Sequence, residues 1–291
     1  MTSTESTPVP APARSRSRTV GIAAILVTTF TAAMLAVNAV ASALAGPLAA
    51  LVVGPALAVL LLWLYSWIVG RLERRAVAEL VRPRTRPLLA GVLGGLGLAA
   101  VTIGVLALFG GYQITGAGTP AGALTVVGMM CAVAVAEEVL FRGVVLRLLQ
   151  RAFGTWIALA GSAALFGLLH LLNPGATLWG AVSIAVEAGL MLGAAFVATG
   201  SLWLPIGLHL GWNVALVAVF GTVTSGSDAH GALVTAVTEG PVWLTGGAFG
   251  PEASLIAIAA CSIVTTALMV WAHRNGRIIA RPGRRATAVA S

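Results

Sequence analysis

The chain has 291 residues, of which 58% are hydrophobic and only 9% charged, which excludes a soluble globular domain of this length and defines a polytopic membrane protein. The formal charge is +8, and all basic residues are arginines, most of them bracketing apolar runs. That placement points to a cytoplasmic-leaflet anchor, so the partner expected from charge is the lipid bilayer, with no nucleic acid.

Residues 1–18, rich in Ser, Thr, Pro and Arg, are expected to form a disordered basic cytoplasmic tail. The apolar run behind them is longer than a signal-peptide core and shows no convincing cleavage site, so it reads as a retained span. A span needs about 20 apolar residues. Eight are predicted: Thr19 to Ala45, Leu48 to Gly70 after a Gly46-Pro47 turn, Leu88 to Leu108, and Ala121 to Leu149, then Thr155 to Leu172, Thr177 to Ala198, Leu202 to Gly221 and Ala253 to Ala272. Asn173-Pro174-Gly175 stops the fifth. The expected architecture is an all-α polytopic membrane protein, a bundle of about eight transmembrane helices around a polar intramembrane site. The helical domain covers residues 19–272 with a motif-bearing core at 121–220, and a basic cytoplasmic tail follows at 273–291.

Leu72, Ala76, Val77 and Leu80 recur at helical spacing among arginines, which predicts a short amphipathic helix on the cytoplasmic surface between Arg71 and Pro87. The segment 222–252 is long, rich in Gly and Thr, and carries Asp228, Glu239 and Glu252. It reads equally as a cap over a site and as a surface excursion. Cys131 and Cys261 lie in apolar runs and behave as small hydrophobes, with neither a disulfide nor a cysteine metal site expected.

Arginines precede the first span and follow the second, fourth and eighth, whereas residues 46–47, 109–120, 173–176 and 222–252 contain none. With an even number of spans every basic loop falls on one side, so both termini are expected in the cytoplasm.

Few ionisable groups remain inside the spans: Glu137, Glu138 and Arg142 on the fourth, His170 on the fifth, Glu187 on the sixth and His209 on the seventh. Each is expensive at bilayer depth and is a functional suspect for that reason. Counting about 1.5 Å per residue from the nearest arginine-side turn puts Glu137, His170, Glu187 and Asn213 roughly 18 to 22 Å in, and His209 roughly 13 Å in. Glu138 and Arg142 stand at i, i+4 with the acid first, the favoured order for a helical ion pair. Glu137, about 100° around the helix, is left without a partner and is the candidate general base. Glu187 reads equally as a supporting acid or a partner for Arg142 and as a purely structural group.

Four chemistries fit intramembrane Glu and His. The zincin string His-Glu-x-x-His is absent. A two-aspartate protease is excluded because Asp228 is the sole aspartate. A serine–histidine pair would need Ser162 or Ser183, and neither has a nucleophile-like context. The fourth is a Glu/His-activated water with His and Asn holding an oxyanion. A proton-coupled transporter is the alternative from another class, since carboxylates and histidines also build proton relays.

Glu-Glu-x-x-x-Arg at 137–142, Phe-x-x-x-His at 166–170 and His-x-x-x-Asn at 209–213, on three spans in this order, resemble the CAAX protease and bacteriocin-processing family, also called CPBP or Abi intramembrane proteases. The resemblance implies peptide-bond hydrolysis within the membrane. It implies that Glu137 and His170 activate water, that His209 and Asn213 stabilise the oxyanion, and that Glu138 and Arg142 hold the first motif, with Phe166 packing beside the site. The expected partner is a membrane-embedded or lipid-proximal peptide, and the expected location a bacterial plasma membrane. No cofactor is expected; a divalent metal such as zinc, if present, would sit on Glu137, His170 and His209. A non-hydrolytic membrane interaction protein of the same fold remains a further alternative.

Overall fold

A computed structural model describes residues 16–81, 85–227 and 231–281. The expected disorder of the N-terminal tail through residue 15, the C-terminal tail beyond 281, and the positions of Arg14, Arg82, Arg84, Asp228, His230, Arg284 and Arg285 lie outside the described residues. Eight apolar helices are present among the described residues: α1 (Arg16–Ala43), α2 (Pro47–Glu73), α3 (Thr85–Leu108), α4 (Pro120–Phe153), α5 (Thr155–Leu172), α6 (Leu178–Thr199), α7 (Trp203–Val219) and α8 (Leu255–Arg274). Seven are long and apolar enough to cross a membrane, and α7 is the short one. At about 1.5 Å per residue α7 is some 25 Å long.

The helix ends have local causes. Pro120 opens α4 behind Thr119, whose hydroxyl accepts from the Gly122 amide at 3.1 Å; Thr177 caps α6 and Ser254 caps α8 in the same way. α5 stops at Leu172 because Asn173, held extended before Pro174, cannot continue it.

Small residues set the helix crossings. Gly91 and Gly95 of α3 face Gly207 and Gly211 of α7 so closely that a Cβ on any of the four would strike the other helix's backbone. Gly54 of α2 and Gly128 of α4 meet in the same manner. Without water to drive apolar association, such close backbone approach is what fastens helices in lipid. It fixes α7, which carries two of the motif residues, against α3. The most buried spans are α4 and α6, the centre of the bundle.

The arginine-bearing turns meet at one end. Glu79 O accepts from the Leu202 amide at 3.2 Å, and Thr155 exchanges two hydrogen bonds with Ile279, at 2.9 and 2.8 Å. The arginine-free segments meet at the other end. There β1 (Gln113–Ala117) pairs antiparallel with β2 (Val234–Val237), Gly175 N donates to Gly226 O at 2.8 Å, and Trp179 Nε1 donates to Ala253 O at 2.8 Å.

The amphipathic helix expected between Arg71 and Pro87 is not seen among the described residues. α2 runs on to Glu73, Arg74 turns the chain in the left-handed conformation (φ 51°), and only a single 3₁₀ turn, Ala78–Leu80, follows. A buried ion cluster overrides the apolar spacing. Glu73 takes Arg75 Nε and Arg147 Nη1 at 2.7 Å and Arg151 Nη1 at 2.9 Å. Arg75 then grips Glu79 with two nitrogens, at 2.9 and 2.6 Å. Burial disfavours the ionised form of Glu79, but the Arg75 fork and the Tyr65 hydroxyl outweigh it and hold its carboxyl below its ordinary value.

Candidate active site

Four helices deliver the site; α5 tightens to a 3₁₀ turn at His170, and the other three widen where they do so. Val139–Leu146 of α4, Ala185–Leu190 of α6 and Val214–Val219 of α7 are wound as π-helix. They follow Glu138, contain Glu187 and follow Asn213. Such wide turns recur at functional sites because they break the regular spacing of side chains and free backbone carbonyls.

Glu138 and Arg142 form the expected ion pair, with Arg142 Nη1 2.8 Å from Glu138 Oε1 and both side chains buried. The other arm of the guanidinium, Nη2, donates to Ala188 O at 3.0 Å and Gly189 O at 3.1 Å in α6. The guanidinium also lies over the Phe166 ring, 4.8 Å from its centroid. Arg142 therefore ties α4 to α5 and α6 at once. Among the described residues Glu187 makes no hydrogen bond or ion pair with it; that carboxyl takes the Cys261 thiol, at 3.4 Å.

Glu138 has a second task that the sequence did not reveal. Its Oε1 lies 3.0 Å from His209 Nδ1. A carboxylate there makes Nδ1 the donor and turns Nε2 inward, where it lies 3.8 Å from Glu137 Oε2, too far for a hydrogen bond. His170 is fixed in the opposite sense of the chain. Its Nδ1 donates to Phe166 O one turn back at 2.8 Å, which leaves Nε2 with a free lone pair. Phe166 packs against the ring in a tilted arrangement, 4.6 Å between centroids and 47° between planes.

Glu137 is buried, and its Oε2 has no hydrogen-bond partner. Asn213 sits one turn beyond His209, its amide engaged only by the thioether of Met130 at 3.7 Å, a weak acceptor. Glu137, His170, His209 and Asn213 line a single cavity of about 440 Å³, together with Phe166 and Glu187.

The cavity lies toward the arginine-free end. Asn38 of α1 and Thr224, Ser225 and Glu252 of the 222–252 segment complete its wall. These residues of the segment cap the site on this side, and Glu252 staples them there. Glu252 Oε1 accepts from Trp212 Nε1 at 3.0 Å, and Oε2 accepts from the Ser225 amide and hydroxyl. Neither Glu252 nor Asn38 was singled out by sequence. For Asn38 a signal existed, as the lone amide side chain in the first span.

Among the described residues no three His, Cys, Asp or Glu side chains converge as a ligand set.

Fold and cavity together define an integral, multi-pass membrane protein with a carboxylate–histidine–amide site buried in its bundle. Residues 119–215, about a third of the chain, match the family model of type II CAAX prenyl endopeptidase Rce1-like proteins. This segment runs from the cap of α4 into α7 and contains every residue of the three motifs, so the resemblance to the CAAX protease and bacteriocin-processing family holds over it. No curated protein and no solved structure matches the chain.

Proposed function

We propose that the chain is an intramembrane endopeptidase that hydrolyses a peptide bond with a water activated by Glu137 and His170. The observation that carries this reading is the convergence of Glu137, His170, His209 and Asn213 on one cavity within the segment that matches the family. The water sits between the unpartnered Glu137 carboxylate and the His170 Nε2 lone pair and loses its proton to this pair as it attacks the carbonyl carbon. The oxyanion that forms is met by the Asn213 amide and, with the ring protonated at both nitrogens, by His209 Nε2. The proton passes to the leaving amine as the C–N bond breaks. Glu138 and Arg142 touch none of the reacting atoms and hold His209 and α6 in place.

The test is cleavage of a quenched fluorescent membrane-embedded peptide by the purified chain in liposomes. Loss of general-base catalysis is worth about 10²- to 10⁴-fold, so Glu137→Ala and His170→Ala are expected to lower the rate by that range. Unchanged cleavage by either variant overturns the assignment.

The same reading places the protein in a bacterial plasma membrane with both termini cytoplasmic, supported by the gathering of the arginine-bearing turns at one end of the bundle. The cavity and its cap then lie in the outer half of the membrane. A cysteine introduced at Thr235 should be labelled by an impermeant maleimide in intact cells, and one introduced at Ala78 should not. The reverse pattern would invert the topology.

A further inference from the structure

The cavity has polar groups that the proposed reaction leaves idle. Glu187 is fully buried; its Oε1 has only the Cys261 thiol, and its Oε2 has no partner. Asn38 Oδ1, reaching the same cavity from α1, is likewise unpartnered. Glu252 is 2% exposed and is held only by neutral donors, the Trp212 indole and the Ser225 amide and hydroxyl. Among the described residues no arginine or histidine forms an ion pair with Glu187 or Glu252. The Arg142 guanidinium bonds Glu138 and two carbonyls through Nη1 and Nη2, and its Nε is unpartnered.

The unmet groups therefore share a sign. Asn38 Oδ1, Glu137 Oε2 and Glu187 Oε2 are all oxygens of residues that line the cavity, joined among the described lining residues only by the Thr224 hydroxyl. Water can satisfy an acceptor, but a carboxyl enclosed by apolar walls ionises only at a large cost unless a cation pairs with it. An occupant that brings both hydrogen-bond donors and positive charge removes both deficits. A guanidinium does so best, because its planar fork engages a carboxylate with two hydrogen bonds and is weakly hydrated.

We infer that Glu187, Glu252 and Asn38 form a subsite for a basic side chain, so that the preferred substrate is a peptide carrying an arginine beside the bond to be cleaved. This deepens the endopeptidase reading and rests on it for the word substrate; the cation site itself does not need hydrolysis. Glu187 acts here as a specificity-determining residue and touches no reacting atom.

The experiment compares two fluorescent membrane-active peptides that differ only in arginine against citrulline, which is nearly isosteric and uncharged. Binding to the full chain in phosphatidylcholine nanodiscs is read by anisotropy, and cleavage is read separately by mass spectrometry. The arginine peptide is expected to bind on the order of ten-fold more tightly. Glu187→Gln should bring the ratio close to one while the affinity for the citrulline peptide stays as it was, which also shows that the variant is folded. Equal binding of the two peptides to the native chain overturns the subsite, as does a preference that survives both Glu187→Gln and Glu252→Gln. Cleavage without an arginine preference removes the subsite and leaves the reaction. A preference without cleavage does the converse.

Discussion

The molecule holds two groups of buried charges, and they are built on opposite plans. At the arginine end each oxygen of Glu73 lies within 2.9 Å of a guanidinium nitrogen, and both oxygens of Glu79 are gripped by Arg75. In the cavity Glu137 and Glu187 each keep an oxygen with no partner, and among the described residues no cation pairs with Glu252. The same residue type is saturated in one place and left wanting in the other. A saturated network fastens elements, here α2, the 3₁₀ turn and the end of α4, whereas an unsatisfied one is costly and persists where chemistry or binding uses it.

Glu138 and Arg142 stand between the two plans, and their variants break the comparison hardest. Arg142→Ala leaves Glu138 buried without a counter-ion and strips two carbonyls of α6 of their donor. The expected loss is about 3 to 5 kcal/mol, measured by unfolding in detergent. Peptide cleavage should fall as well, because Glu138 then ceases to hold His209. Glu137→Ala removes an oxygen that bonds to nothing, so its stability is expected to change by less than about 1 kcal/mol although its catalytic loss is large. Equal destabilisation by the two variants would erase the distinction between a holding pair and a working carboxylate.

How far this division shows in the sequence depends on range. The spans were legible within a few residues because hydropathy over about 20 positions decides them locally. The motif residues were legible as a group, since intramembrane charge is expensive wherever it occurs. What escaped was set by distant partners. Leu72, Ala76, Val77 and Leu80 read as one face of a surface helix, yet Glu73 is held by Arg147, and the chain turns at Arg74 instead. The bond from Glu138 to His209 spans 71 positions. Glu252, in a segment that local patterning leaves open between cap and excursion, becomes a site residue only through Trp212 and Ser225.

A gentler perturbation probes the saturated group by pH. Glu79 is almost wholly buried, and burial alone would raise its pKa, but Arg75 and Tyr65 hold it below the ordinary value of 4.5. Arg75 is pushed upward in turn by Glu79 and Glu73 and stays charged throughout. A depressed carboxyl contributes stability that is fully present above its unfolded pKa and is lost as pH falls through the lower folded one. The unfolding midpoint of the native chain should therefore be steady from pH 7 to 5 and decline below 4.5. Glu79→Gln should start lower, by about 1.5 to 3 kcal/mol for lost hydrogen bonds to a charged group, and decline less steeply, with the remaining slope due to Glu73 and other carboxyls. Identical acid slopes in the two chains would mean that Glu79 is not tuned by Arg75, and the contrast with the cavity would then rest on Glu73 alone.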